Sequence, residues 1–358
     1  MTDSLSTDTP AEVPSPGQAP LPDDLPPVQP PSAGFILQLF VVPAIIVGAV
    51  VLVWFLFGKI SSGGQDWRNL ISEVQSGNEH RSWRSATELA QMLRADIELK
   101  ERGQKLSANP LIATELAKLM TAQLKTSSTG EDEAGMRQAF LARTLGWLDS
   151  VETVVPVLID AMQSERPAIV RLDAMRSIAI IASRLQEQNQ KADWSVAAER
   201  ILEYSRDTDP LVRQVAAFTL GLLPGESVDQ RLKVMTEDAD ENTRMNAALG
   251  LARRGSSEGL PVLFAQLQSG MAATNPAGMP GPSPEERVNQ ARATDIMKLT
   301  SLRNALIALR DIKDALNPEQ REEALRLCQP VLDECPDMKI RIEAKSTIRE
   351  LKPDTAAE

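Results

Sequence analysis

The stretches DPLVRQVAAFTLGLL, residues 209–223, and ADENTRMNAALGLARRG, residues 239–255, decide how this chain folds. Each has an acid that can cap a helix at its first or second position, Asp209 and Asp240, and carries an Arg near the helix start. In each, an Ala stands three residues after that Arg and a Leu seven after it. The pattern recurs as VRLDAMRSIA from 170 and IRIEAKSTIR from 340, with Ile in the last place. A small residue at such a position lets two helices approach, and the aliphatic residue two turns on from the Arg fills the seam. An acid precedes three of these arginines by six residues: Glu165 before Arg171, Asp207 before Arg213 and Asp238 before Arg244; Glu131 before Arg137 repeats the spacing. This places the acid in a turn and the Arg early in the next helix, so successive pairs predict a polar ladder that satisfies turn amides and sets the stacking register. Binding of an anionic ligand by these arginines is disfavoured, because each has its own local acid.

Working outward, Pro-Val-Leu recurs at Pro156, Pro261 and Pro330, the first two spaced by three steps of about 35 residues. Helical stripes run through Trp83, Ala86, Ala90, Leu93 and Ile97, through Ile112, Leu116, Leu119 and Met120, and through Ile340, Ala344, Ile348 and Leu351. Asn109-Pro110, Asp209-Pro210 and Asn317-Pro318 each set a capping side chain before a proline at the first helical position. Ser283 with Glu286 and Asn317 with Gln320 add capping-box spacing. Alternating β-branched runs are missing and aromatic residues make up 4% of the chain. The expected fold class is all-α.

These residues, with AIVRLDAMRSIAIIA at 168–182, resemble the HEAT-repeat family, and in particular the short HEAT-like repeats of the phycobilin-lyase type. The resemblance is clear over roughly residues 130 to 265. Residues 66 to 125 and 283 to 352 fit by pattern, and the repeat slips by one position near Gly146 and again at Leu302-Arg303. It implies an α-solenoid of about seven HEAT-like helical hairpins over 66–352, divided as 66–102, 108–148, 150–186, 192–223, 226–254, 257–312 and 317–352. Each hairpin would bury its apolar face only against its neighbours. QEQNQKAD at 186–193 reads as a polar connection. The Gly/Pro-rich insertion at 270–284 reads as a mobile projection or a tolerated surface insertion. Repeats of this kind specify architecture and say little about function.

Ahead of the repeats lies FILQLFVVPAIIVGAVVLVWFLF, Phe35 to Phe57, which carries no charge. Its length as a helix would match a bilayer core of about 30 Å, so residues 35–58 are expected to form one transmembrane helix. Trp54 would sit at headgroup level and Lys59 would reach the interface. All Lys and Arg lie at position 59 or later, which places the large C-terminal part in the cytoplasm and the N-terminal tail outside. Ala44 and Gly48 have the small-xxx-small spacing that would allow weak homo-oligomers. Residues 1–33 hold nine prolines and five acids without a base and are expected to be disordered, as are residues 353–358.

Catalytic signatures are scarce. His80 is the only histidine, which argues against the multi-His metal site of HEAT-type di-iron hydroxylases and against Ser-His-Asp catalysis. Cys328 and Cys335, seven apart, suit neither a disulfide within one helix nor a metal site. EDE at 131 and EDADE at 237 read as turns and helix starts, and no phosphate-binding glycine pattern occurs. A net charge of −11 and a pI near 4.9 disfavour nucleic acid, and ARRG at 252–255 is too short to offset them. No cofactor is implied. The expectation is therefore a membrane-anchored, non-enzymatic scaffold that binds protein partners, with a lipid bilayer contacted through 35–58. The alternative is an assembly factor or lyase-like protein acting on a client protein.

Overall fold

The computed structural model describes residues 34, 41–52, 66–76, 78–99 and 103–352. The chain divides into two units, Met1–Asp66 and Trp67–Glu358. In the first, residues 41–52 are helical. In the second, fourteen α-helices follow one another among the described residues, and no strand occurs there.

The expected membrane span is not met. Among the described residues no helix is long and apolar enough to cross a membrane. Gly48 falls inside residues 41–52, whereas Phe35, Trp54, Phe57 and Lys59 lie outside the described residues, as do 1–33 and 353–358. The expected single-pass localisation, with its cytoplasmic orientation, therefore does not stand.

The helices of the second unit are α1 (Trp67–Val74), α2 (Glu79–Leu99), α3 (Pro110–Gln123), α4 (Glu133–Leu145), α5 (Val151–Ala161), α6 (Ala168–Glu187) and α7 (Ser195–Tyr204). They continue with α8 (Pro210–Leu220), α9 (Glu226–Met235), α10 (Glu241–Ala252), α11 (Leu260–Ser269), α12 (Pro284–Asp311), α13 (Pro318–Glu334) and α14 (Met338–Leu351). Each odd-numbered helix packs on the even-numbered helix after it, giving seven pairs. The second helices also form a layer of their own, since α4, α6, α8, α10, α12 and α14 each pack against the next.

Local chemistry explains where the helices begin. The side chains of Asn109, Asp132, Asp209, Asp240, Ser283, Asn317 and Asp337 accept hydrogen bonds from amides in the first turns that follow them. Asn317 and Gln320 close a full capping box. The Pro-Val-Leu prolines all fall in first helices: Pro156 inside α5, Pro261 at the start of α11 and Pro330 inside α13.

The core lies between the paired helices. Ala174, Ala216, Ala247 and Ala344, each three residues after its Arg, are fully buried, as are Ile178 and Leu220. One apolar cluster runs from Leu70 to Leu251 and a second from Met245 to Leu351. Helix α10 supplies both, with Ala247 and Leu251 in the first and Met245 and Ala248 in the second. The α2 stripe ends at Leu93; Ile97 is exposed, because α1 has only 8 residues to set against the 21 of α2. The 270–284 insertion does not hang free. Thr274 N donates to Asp295 Oδ1 at 2.8 Å and Lys298 Nζ to Ala272 O at 3.1 Å, folding the segment back on the middle of α12.

Two predictions follow from this packing. A Cβ on Gly250 would stand 2.8 Å from the Gly221 Cα, where α10 meets α8. Gly250→Ala should therefore destabilise the protein by about 1–3 kcal/mol, despite the better helix propensity of Ala, as read from the urea midpoint. Both cysteines are buried, and burial pushes the Cys328 thiol up to about 12. Thiol alkylation at pH 8 should leave Cys328 unmodified until denaturant is added, with mass spectrometry as the readout.

Candidate functional site

Two sets of polar contacts set the position of the second helices. The first joins turn to turn. Arg213 in α8 donates through Nε and Nη2 to the two carboxylate oxygens of Asp238, both at 2.9 Å. Its Nη1 donates back to the carbonyls of Asp207 and Thr208 at 3.0 Å. One repeat later, Arg244 Nη1 donates to the carbonyls of Asp238 and Ala239 at 2.8 and 3.0 Å. One repeat earlier, Arg171 faces the Asp207 carboxylate at 3.9 Å and lies over the Tyr204 ring at 5.2 Å. Arg213 and Arg244 thus reach their own turns through backbone carbonyls, while the carboxylates that Arg171 and Arg213 meet belong to the next repeat.

Glu165 does not meet Arg171; its recorded partner is the Ser164 hydroxyl at 3.4 Å. Arg137 pairs with Glu133 at 2.5 Å and with Glu79, in place of Glu131. Where the six-residue spacing does make a contact, at Arg213 and Arg244, it is to the backbone carbonyl of the acid and not to its carboxylate. Arg287, missed in the sequence reading, makes the same six-residue contact to Gly281 O at 3.1 Å.

The second set lies at the opposite ends of these helices. Arg184 donates to Leu148 O at 2.6 Å and pairs with Asp149 at 2.9 Å. Arg254 donates to Leu220 O and Gly221 O at 2.9 and 3.0 Å, and also to Leu223 O. Each closes the open C-terminal carbonyls of the preceding second helix. Burial pulls both guanidinium pKa values below the usual arginine range, and Asp149 and Asp229 oppose the shift. No fixed spacing links these arginines to the ladder, so periodicity could not reveal them.

Between the two sets, the second helices turn a row of apolar side chains outward. Ile169 and Leu211 stand two residues before their ladder arginines and are 41% and 42% exposed; Met136 in α4 is 55% exposed. Two turns further along the same side come Phe218 in α8, 38% exposed, and the half-buried Leu249 in α10. Ile180 lies one turn beyond in α6 and is also exposed. The cations on this strip are Arg143, Arg176 and Arg253. Arg143 and Arg176 approach the buried Asp173 carboxylate at 3.5 and 3.1 Å and keep much of their side chains in solvent. Partial burial lowers the Arg253 pKa and Asp311 opposes the shift. Glu133, Glu187 and Glu241 are confined to the helix ends.

His80 sits, exposed, in the first turn of α2. Among the described residues no group of three or more His, Cys, Asp or Glu could hold a metal ion.

Residues 198–273 match the model of HEAT repeats. The matched segment contains both stretches that decide the fold, at 209–223 and 239–255. No curated protein matches the chain by sequence. Among solved structures, the YibA protein of Escherichia coli is similar, with 14% identity and a TM-score of 0.41 over 83% of this chain and 96% of that one. The CpcE–CpcF complex of phycocyanin lyase from Nostoc gives 14% and 0.41 over 80% and 95%. Human deoxyhypusine hydroxylase, in complex with glycerol, gives 15% and 0.30 over 82% and 98%.

The Arg213 contact predicts a pH-dependent loss of stability. Its hydrogen bonds hold the Asp238 carboxyl below the usual carboxylate range, with burial opposing, and Asp238 in turn raises the Arg213 pKa. A carboxyl whose pKa falls on folding stabilises the protein fully above its unfolded value of about 4, and the contribution disappears as pH falls through the folded value. Asp238→Asn should flatten the dependence of the urea midpoint on pH below about 4. Arg213→Ala should cost about 2–4 kcal/mol near neutral pH, since it strands a mostly buried carboxylate.

Proposed function

We propose that the chain is a HEAT-like repeat scaffold that binds another protein along the exposed face of its second helices. One observation carries this reading: Met136, Ile169, Leu211 and Phe218 stay exposed on successive packed helices whose other large apolar side chains are mostly buried. Single exposed apolar residues are ordinary, but a row repeated from helix to helix offers contiguous apolar surface. The two sets of arginine contacts keep the helices beneath that row in fixed order, so a partner would meet a preformed surface.

The test is affinity capture from cell extract with the full chain and with Leu211→Ser and Phe218→Ser variants. Both positions are surface-exposed, so circular dichroism and the urea midpoint should stay close to the parent. A specific protein partner should be recovered with the parent, and its affinity for the variants should fall about 10- to 100-fold. Equal recovery with all three proteins would overturn the reading, as would an absence of any partner accompanied by turnover of a small molecule.

A further inference from the structure

Helix α12 is longer than its neighbours can cover. Gln266, near the end of α11, donates to Lys298 O at 3.2 Å, and a Cβ on Gly270 would stand 3.2 Å from the Leu302 Cβ. On the other flank Arg303 pairs with Glu343 and Thr347 donates to Leu306 O, so α12 and α14 run in the same direction. Helix α14 opens at Met338 and so begins level with Lys298. Residues 284–297 therefore run past the ends of both helices. They bury only Ala291, whereas residues 302–309 bury Leu302, Ala305, Leu306, Ala308 and Leu309; Ile296 and Met297 are 65% and 60% exposed.

The segment 270–283 lies along this overhang. Thr274 N donates to Asp295 Oδ1, Lys298 Nζ donates to Ala272 O and Arg287 Nη1 donates to Gly281 O, the last two at 3.1 Å. Met279 Sδ accepts from the Thr294 hydroxyl at 3.9 Å, and Asn275 caps the turn Pro276–Gly278. Neither the segment nor α11 carries an ionisable side chain, so Asp295 is the one carboxylate among these contacts. Hydrogen bonding from Thr274 holds its carboxyl below the usual carboxylate range; burial opposes the shift and Lys298 adds to it. We propose that residues 270–283 form a strap which, together with residues 284–297, opens and closes as a unit of its own while the rest of the array stays packed, with Asp295 as the catch. Local opening costs least where few apolar side chains are buried, and releasing this strap uncovers a single buried alanine. A helix as short as the overhang is marginal in water once nothing packs on it. Unwinding stops where Leu299 and Leu302 enter the apolar cluster. The proposal is independent of the protein-binding reading, since Met136, Ile169, Leu211 and Phe218 lie on other helices.

The test is hydrogen exchange read by mass spectrometry on the full chain at neutral pH. Amides of residues 288–297 should exchange about a hundredfold or more faster than those of 302–311. Asp295→Ala should speed 288–297 about tenfold further, while 302–311 and the urea midpoint stay close to the parent. Alanine is the better helix former, so its propensity alone would slow exchange, and the sign of the change separates the catch from the helix. Protection of 288–297 equal to that of 302–311 would overturn the proposal. So would an Asp295→Ala variant in which 288–297 exchanges no faster, or in which both stretches speed up together.

Discussion

The stack depends on arginines that answer to two repeats at once. Arg213 grips the carbonyls of its own turn and the carboxylate of the turn after it, so neither turn can shift without the other. A helix pair with one apolar face has no preferred angle against its neighbour until something directional fixes it, because apolar contact alone is indifferent to small rotations. Bidentate contacts of this kind supply the direction. The small residues beneath them supply the distance: Ala174, Ala216 and Ala247 let the helices close, and Gly221 against Gly250 marks where two backbones meet. Arg184 and Arg254 hold the far ends in the same way.

Helical character and the helix starts were legible because both are local. An Asn or Asp before a proline caps a helix whatever lies around it, and Asn109, Asp209 and Asn317 do so. The alanines seven-residue patterns place against a neighbour are buried because spacing on one helix determines which side faces the core. The ladder was legible only in part. Spacing in sequence pairs Asp207 with Arg213, but the carboxylate that Arg213 meets, Asp238, is 25 residues on. Glu165, matched by spacing to Arg171, has no contact with it in the structure. Which of two equally spaced acids receives a guanidinium depends on the rotation between repeats, which no single repeat encodes.

The apolar run at 35–57 is the largest departure. Its composition suits a bilayer, but length as a helix is the property that decides a span, and among the described residues no helix is long and apolar enough. The outward apolar row escaped the sequence reading for the opposite reason. Ile169, Leu211 and Phe218 look like further core positions of the same helices, and only the placement of the adjacent helices leaves them uncovered. Surface of this kind is a property of assembly, visible once each helix has its neighbours.

Helix α10 belongs to two apolar clusters, presenting Ala247 and Leu251 to one and Met245 and Ala248 to the other. Adjacent alanines therefore serve different partners on opposite flanks of a single rod. In a linear array, where each unit leans only on its neighbours, such a member transmits disorder from either side. Loosening that begins at α14 has to pass through α10 before it reaches α8, and loosening from α1 meets the same gate from the other direction. The twelve residues of α10 are thus the place where the two halves of the core are joined.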